Sequence, residues 1–168
     1  NEYLVFTDAD CYPASNDWLL QISTQFTKEK TIDLSYGAYE KVKNSFLNKI
    51  IRFETMFTAT QYFSWAKIGK PYMGVWRNLA YKKEEFFNVR GFMDHMKIRS
   101  GDDDLFINQA ATKKNTAILY TPESFTFSEP KTTFSSWVYQ KRRHATTAKF
   151  YKGFDKFQLG LCFFSQFW

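Results

Sequence analysis

Tyr3-Leu4-Val5-Phe6-Thr7-Asp8-Ala9-Asp10-Cys11-Tyr12-Pro13 is the stretch on which the reading of this chain turns. Four consecutive apolar residues predict a short buried strand, and two carboxylates follow it directly. Asp8 and Asp10 are two residues apart, so on extended backbone their side chains point to the same side at the strand's C-terminal end. In open α/β sheets ligands bind at that edge. Hard oxygen donors at this spacing suit Mg²⁺ or Mn²⁺ carrying a diphosphate, with phosphate or water oxygens completing the shell. The competing reading is a solvated loop whose acids cap the next helix. Cys11 reads as a packing residue, because thiolate prefers softer ions.

Outward from this stretch, strands alternate with helices. A helix is predicted over 16–28, with Ser15 or Asn16 as N-cap and Trp18, Leu19, Ile22 and Phe26 on one face. Residues 32–39 alternate with period two and predict a strand. Phe46, Leu47, Ile50, Ile51, Phe53 and Phe57 recur at helical spacing, which predicts a long amphipathic helix over 45–62. A strand is expected at 78–81 and one or two helical turns at 82–89. The acids 102–104 open a predicted helix to about 114. Strands at 117–121 and 124–128 then lead to a helix over 133–150. This order argues for an α/β layered domain, a mixed sheet flanked by helices.

The composition agrees. The chain has 168 residues, 44% of them hydrophobic and 20% aromatic, which excludes a disordered or collagen-like polypeptide. No apolar run is long enough to span a bilayer. Cys11 and Cys162 are far apart in sequence, so no disulfide framework is expected and a reducing compartment is the simpler setting. The histidines, His95 and His144, are too few and too separated for a zinc site. The first residue is Asn1 rather than Met, the expected strand Tyr3–Phe6 has nothing before it, and the apolar stretch 157–168 stops abruptly, so the sequence reads as an internal part of a larger protein. That stretch reads as the start of an interfacial or transmembrane helix.

Ser100-Gly101-Asp102-Asp103-Asp104-Leu105 is the second candidate site. Capping a helix and complementing its dipole needs one or two acids. Three in a row repel one another, which raises a pKa or calls for a cation, and a carboxylate so raised can act as general base toward a hydroxyl. From Trp137 to Lys152 the chain carries five Lys/Arg, one His and no acid. Gln140 and Arg143 share a helix face there, and a guanidinium clamps diphosphate oxygens by paired hydrogen bonds. The same charge also fits an anionic membrane surface, with Gln140, Arg143 and His144 toward a pocket and Lys141, Lys149 and Lys152 toward lipid. The net charge of +6 would suit nucleic acid, but the two acidic clusters speak against an open phosphate-tracking surface, and no nucleic-acid partner is expected.

Taken in order, Asp8-Ala9-Asp10, Gly69-Lys70-Pro71, Asn78-Leu79-Ala80-Tyr81 with Gly91-Phe92, Ser100 to Leu105, and Gln140-Lys141-Arg142-Arg143-His144 resemble a family 2 glycosyltransferase. The likeness is to the membrane-associated bacterial members related to cellulose and hyaluronan synthases. It implies a partial GT-A (Rossmann-like) domain over 1–156, lacking the N-terminal half that holds the nucleotide base. It also implies an inverting transfer of sugar from a nucleotide-diphosphate donor, such as a UDP-sugar, to a saccharide or lipid-linked acceptor. The setting implied is cell-surface polysaccharide or glycolipid synthesis at the cytoplasmic face of the bacterial inner membrane. By this resemblance Asp10 ligates Mg²⁺ or Mn²⁺ and Asp8 contacts metal or donor ribose. Asp102 is favoured as the acceptor base, with Asp103 open. Gln140 and Arg143 hold the diphosphate. Trp76, Arg77, Asn78 and His144 lie by sugar and acceptor, His144 standing where the family usually has Trp. The chain by itself is expected to bind donor weakly and to be inactive.

Two other classes are weighed. A haloacid-dehalogenase-type phosphatase also places such an acid pair after a strand and a Gly-Asp motif later, but it has Thr or Val where Tyr12 stands and leaves Gln140 and Arg143 without a role. A non-catalytic membrane-surface module would use only the basic helix and aromatic tail, leaving the acids inert.

Overall fold

The computed structural model describes residues 1–91, 93, 102–145 and 150–164, with backbone alone at 102, 144, 145 and 162–164. Two small sheets organise these segments. The first has the order β1-β5-β3-β6 and the second β2-β7-β4. In the first, β1 (Tyr3–Phe6) runs antiparallel to β5 (Leu79–Lys82), β5 runs antiparallel to β3 (Ile32–Ser35), and β3 runs parallel to β6 (Thr116–Leu119). In the second, β2 (Cys11–Pro13) is antiparallel to β7 (Thr126–Ser128), which is parallel to β4 (Gly37–Tyr39). The protein is therefore mixed α/β, as the alternation of elements predicts.

The predicted strand over 32–39 is two strands in different sheets. The break falls at Tyr36, whose carbonyl accepts from Asn78 Nδ2 at 2.9 Å and from the Thr126 N–H at 3.3 Å. Those bonds turn the chain out of the first ladder and into the second. The strands expected at 117–121 and 124–128 are likewise divided, with a 3₁₀ turn at Pro122–Ser124 carrying the chain between sheets.

Helices cover both faces of the first sheet. On one, α4 (Asp102–Ala110) lays Phe106 and Ile107 against Ile32, Leu34, Leu79 and Tyr81. On the other, α1 (Trp18–Ser23) sets Trp18 and Ile22 on Ala80 and Leu119. This helix is shorter than predicted, and Leu19 is exposed rather than on the buried face. Asp17 is its N-cap without a side-chain bond, while Ser15 Oγ accepts the Asp17 N–H and donates to the Glu123 carbonyl.

The long helix α2 (Phe46–Lys67) starts at Ser45, whose hydroxyl accepts the Asn48 N–H. It outlasts its predicted end and stops in a Schellman arrangement. Gly69 adopts φ +87°, the Gly69 N–H meets the Ala66 carbonyl, and the Lys70 N–H meets the Trp65 carbonyl. Its buried face is Leu47, Ile51, Thr55, Ala59 and Tyr62, whereas Phe46 and Phe53 face solvent. The short α3 (Lys83–Asn88) follows β5 as expected. Helix α4 ends four residues early because Asn115 supplies the partners a further turn would need. Its Nδ2 donates to the Ala110 carbonyl and its Oδ1 accepts the Thr112 N–H. The basic helix α5 spans Phe134–Ala145, and α6 spans Gly153–Phe164. Among the described residues no helix is long and apolar enough to cross a membrane.

Asp33 has an unexpected place. Alternation puts it on the polar side of a half-exposed strand, yet β3 is central, covered on both faces, and Asp33 is fully buried. Ser35 Oγ donates to its Oδ2 at 2.7 Å, while Oδ1 has no partner among the described residues. Burial pushes its carboxyl up to about 7. The folded protein thus holds a proton that an unfolded aspartate releases near pH 4. Stability falls as pH rises from about 4 to about 7 and levels off above that window. Asp33→Asn is expected to raise stability at pH 8 by an amount on the order of 2–4 kcal/mol and to change it little at pH 4. Denaturation midpoints at the two pH values check this, and an equal shift at both would refute it.

Candidate active site

One cleft, with a volume of about 540 Å³, is lined by residues of the second sheet, of the helices α2, α4, α5 and α6, and of the loops between them. That size is typical of small-molecule sites. Its first wall is the turn after β1, where the Cys11 N–H closes on the Asp8 carbonyl at 2.9 Å and the chain reverses into β2. Asp8 and Asp10 both line the cleft and are solvent-exposed. A carboxylate oxygen from each and Cys11 Sγ lie within 4.8 Å of one another. The Cys11 thiol is pushed up by burial first, then by the Asp8 and Asp10 carboxylates, and it leans on Asp10 Oδ1 at 3.8 Å. It therefore stays protonated at neutral pH. The donors available are two hard oxygens, which fit a hard divalent cation.

The second wall is the β3–β4 break and the loop that faces it. Arg77 crosses Gly37, where a Cβ would come within 2.8 Å of the Arg77 Cβ, so only glycine admits the close approach. The Arg77 guanidinium lies over the Tyr39 ring at 4.5 Å, a cation–π contact, and its Nη1 is buried without a partner among the described residues. The Arg77 carbonyl accepts from Thr126 Oγ1 at 2.7 Å. Trp76 is half-buried. It packs on Phe6 at 4.4 Å and stacks parallel to Phe106, so the ring is shared between core and cleft.

The acid-bearing helix closes the third side. Asp103 lines the cleft and accepts the Trp76 N–H at 3.1 Å and the Asp104 N–H at 2.9 Å, which ties α4 to the loop before β5. Asp104 also lines it and is hydrogen-bonded with Tyr151. The Tyr151 hydroxyl is pushed well up, by burial above all and then by the Asp104 charge, so it keeps its proton and donates. Asp102 opens α4, but its side chain lies outside the described residues, so the choice between Asp102 and Asp103 as base rests on sequence.

From α5, Gln140 and Arg143 both reach the cleft. Gln140 Nε2 donates to the Tyr39 hydroxyl at 3.3 Å, which links it to the ring beneath Arg77. His144 and Lys149 lie outside the described side chains. Lys141 faces the cleft and forms an ion pair with Glu54 rather than facing lipid, because Glu54 of α2 stands opposite it. Asn78 is corrected more sharply. It is fully buried, does not line the cleft, and spends its amide on three partners elsewhere in the fold.

The acid pair after β1, the acids of α4, and Gln140, Arg143, Trp76 and Arg77 thus share one space. Tyr39, Glu54, Asp104 and Tyr151 join them, and the sequence reading passed over these four as site residues. Only Asp104 carried a signal, as the third acid of its triplet; the others arrive from segments whose pattern is that of ordinary core. Its lining carries the carboxylates of Asp8, Asp10, Asp103 and Asp104 together with the cations of Arg77, Lys131 and Arg143. Such a space can hold a cation-bound polyanion and offer a carboxylate to a hydroxyl proton. A scan against known protein families and a search of curated proteins return no match for this chain.

Proposed function

We propose that this chain is the acceptor- and diphosphate-handling part of an inverting, metal-dependent glycosyltransferase of the GT-A type. Its donor is a nucleotide-diphosphate sugar and its acceptor a saccharide or lipid-linked hydroxyl. The observation that carries the reading is the convergence of Asp8, Asp10, Asp103, Gln140 and Arg143, remote in sequence, on one cleft of about 540 Å³.

Each group has a part in that chemistry. Asp8 and Asp10 would hold Mg²⁺ or Mn²⁺, which when bound supplies positive charge to a leaving diphosphate. Arg143 offers its fork of N–H donors to the same oxygens, and Gln140 adds a neutral donor. Arg77 is pinned on Tyr39 with an Nη1 that has no partner among the described residues, so it is pre-oriented for an oxyanion or a sugar hydroxyl. A carboxylate of the 102–104 cluster takes the proton from the attacking hydroxyl. Trp76, which lines the cleft, offers aromatic surface against which a sugar ring can rest.

The test is transfer of labelled sugar from a panel of nucleotide-diphosphate donors by the protein carrying this chain. Transfer is expected to stop on chelation and to return with Mg²⁺ or Mn²⁺. Chelation-resistant transfer would remove the metal from the proposal. Phosphate release from an aryl phosphate, with no sugar transferred, would replace the reading with the phosphatase one.

A further inference from the structure

One face of strand β4 is shaped around a single arginine. Gly37 and Tyr39 are two residues apart, so both project from the same side of the strand. At Gly37 that side is bare, and the stem of Arg77 crosses there, so close that a Cβ on residue 37 would come within 2.8 Å of the Arg77 Cβ. At Tyr39 it carries a ring, and the Arg77 guanidinium rests on it at 4.5 Å. The strand thus holds Arg77 twice, by a gap under its stem and an aromatic face under its head.

The strand is itself fixed. Gly37 and Tyr39 pair with Thr126 and Ser128 of β7, and the Glu40 N–H meets the Ser128 carbonyl at 3.0 Å. Thr126 Oγ1 donates to the Arg77 carbonyl at 2.7 Å, so backbone, stem and head of this arginine are all set by the second sheet. A long side chain ordered beforehand loses less freedom when a ligand arrives.

The other end of Tyr39 meets a different segment. Its hydroxyl accepts from Gln140 Nε2 at 3.3 Å, and Gln140 belongs to α5. A primary amide carries two N–H groups in one plane, so the bond to Tyr39 fixes the plane in which the second N–H lies. Tyr39 is half-buried, at the cleft, and Arg77 and Gln140 line the same cleft. One side chain therefore touches the turn before β5 with its ring and the basic helix with its hydroxyl.

We infer that Tyr39 is a positioning residue that sets the spacing between Arg77 and Gln140, so that two remote segments present their N–H groups to the same bound nucleotide-diphosphate sugar. The inference rests on the sugar-transfer reading and adds to it a residue through which two of its groups act together. Tyr39 itself makes and breaks no bond. Charge builds on the leaving diphosphate in the transition state, so misplaced N–H groups lower kcat more than they raise KM.

Steady-state sugar transfer by the protein carrying this chain tests it. Tyr39→Phe keeps the ring and deletes the bond to Gln140; kcat is expected to fall about fivefold, with the donor KM within about twofold and the melting temperature unchanged. Tyr39→Leu releases both groups and should lower kcat by a factor on the order of a hundred. Gly37→Ala removes no polar group, yet it displaces the Arg77 stem and should lower kcat about tenfold. Because the hydroxyl acts through Gln140, Tyr39→Phe should cost less than about twofold more once Gln140→Ala is present. Additive losses for that pair, full activity in Gly37→Ala, or a Tyr39→Leu effect confined to KM would each overturn the inference while transfer persists. Absence of transfer in the unmodified protein would instead overturn the sugar-transfer reading, and this inference with it.

Discussion

Asp10→Asn is expected to reduce sugar transfer by a factor on the order of 10³ while leaving the fold intact. The carboxylate is exposed, it sits in a turn closed by the Cys11 N–H on the Asp8 carbonyl, and among the described residues its side chain meets only the weak Cys11 thiol. Asparagine keeps the shape and one oxygen but removes the charge that a hard cation requires. Stability should therefore move by no more than about 0.5 kcal/mol, as for most surface substitutions. The measurement is kcat with saturating metal, beside a denaturation curve. A variant that keeps a third or more of its activity would return Asp8 and Asp10 to the solvated-loop reading.

Asn78→Ala should do the reverse. The Asn78 side chain is completely buried at the point where three parts of the fold meet. Its Oδ1 accepts from Trp18 Nε1 at 3.1 Å, and its Nδ2 donates to the Tyr36 carbonyl at 2.9 Å and the Ser124 carbonyl at 2.7 Å. Alanine leaves the Trp18 indole N–H and the Ser124 carbonyl without this partner, and the Tyr36 carbonyl with the longer bond from the Thr126 N–H alone. At about 1–3 kcal/mol for each buried group left unsatisfied, a total of about 3–5 kcal/mol is expected. For a chain of this size that lowers the melting temperature by about 10 °C. A loss under 1 kcal/mol in urea would show that water or rearrangement satisfies these groups, and the anchoring role would fall. Together the two variants separate the site from its scaffold.

Asn78 also shows why a site residue can be misplaced from sequence. It adjoins Arg77 in a polar, glycine-bearing stretch, which is what a ligand-contacting loop looks like. Yet consecutive residues on such a turn face different ways: Arg77 enters the cleft and Asn78 the interior. The same limit governs α2. Its apolar residues repeat with helical period, but they ring more of the helix than one face, so periodicity does not say that Leu47 and Ile51 are covered while Phe46 and Phe53 are not. The division of 32–39 at Tyr36 depends on hydrogen bonds from Asn78 and Thr126, about forty and ninety residues away in the chain. Local pattern carries no trace of them.

What the sequence determined by itself is local. A strand ending in two acids, an acidic helix start, a basic helix with Gln140 and Arg143 on one side, and the mixed α/β class all follow from spacing, because backbone geometry sets which neighbours share a face. What only the tertiary structure decided is non-local: the convergence of those segments on one cleft, the recruitment of Tyr39, Glu54, Asp104 and Tyr151, and the burial of Asp33 and Asn78. Each depends on which surface a second, distant segment covers, and burial is a property of the pair.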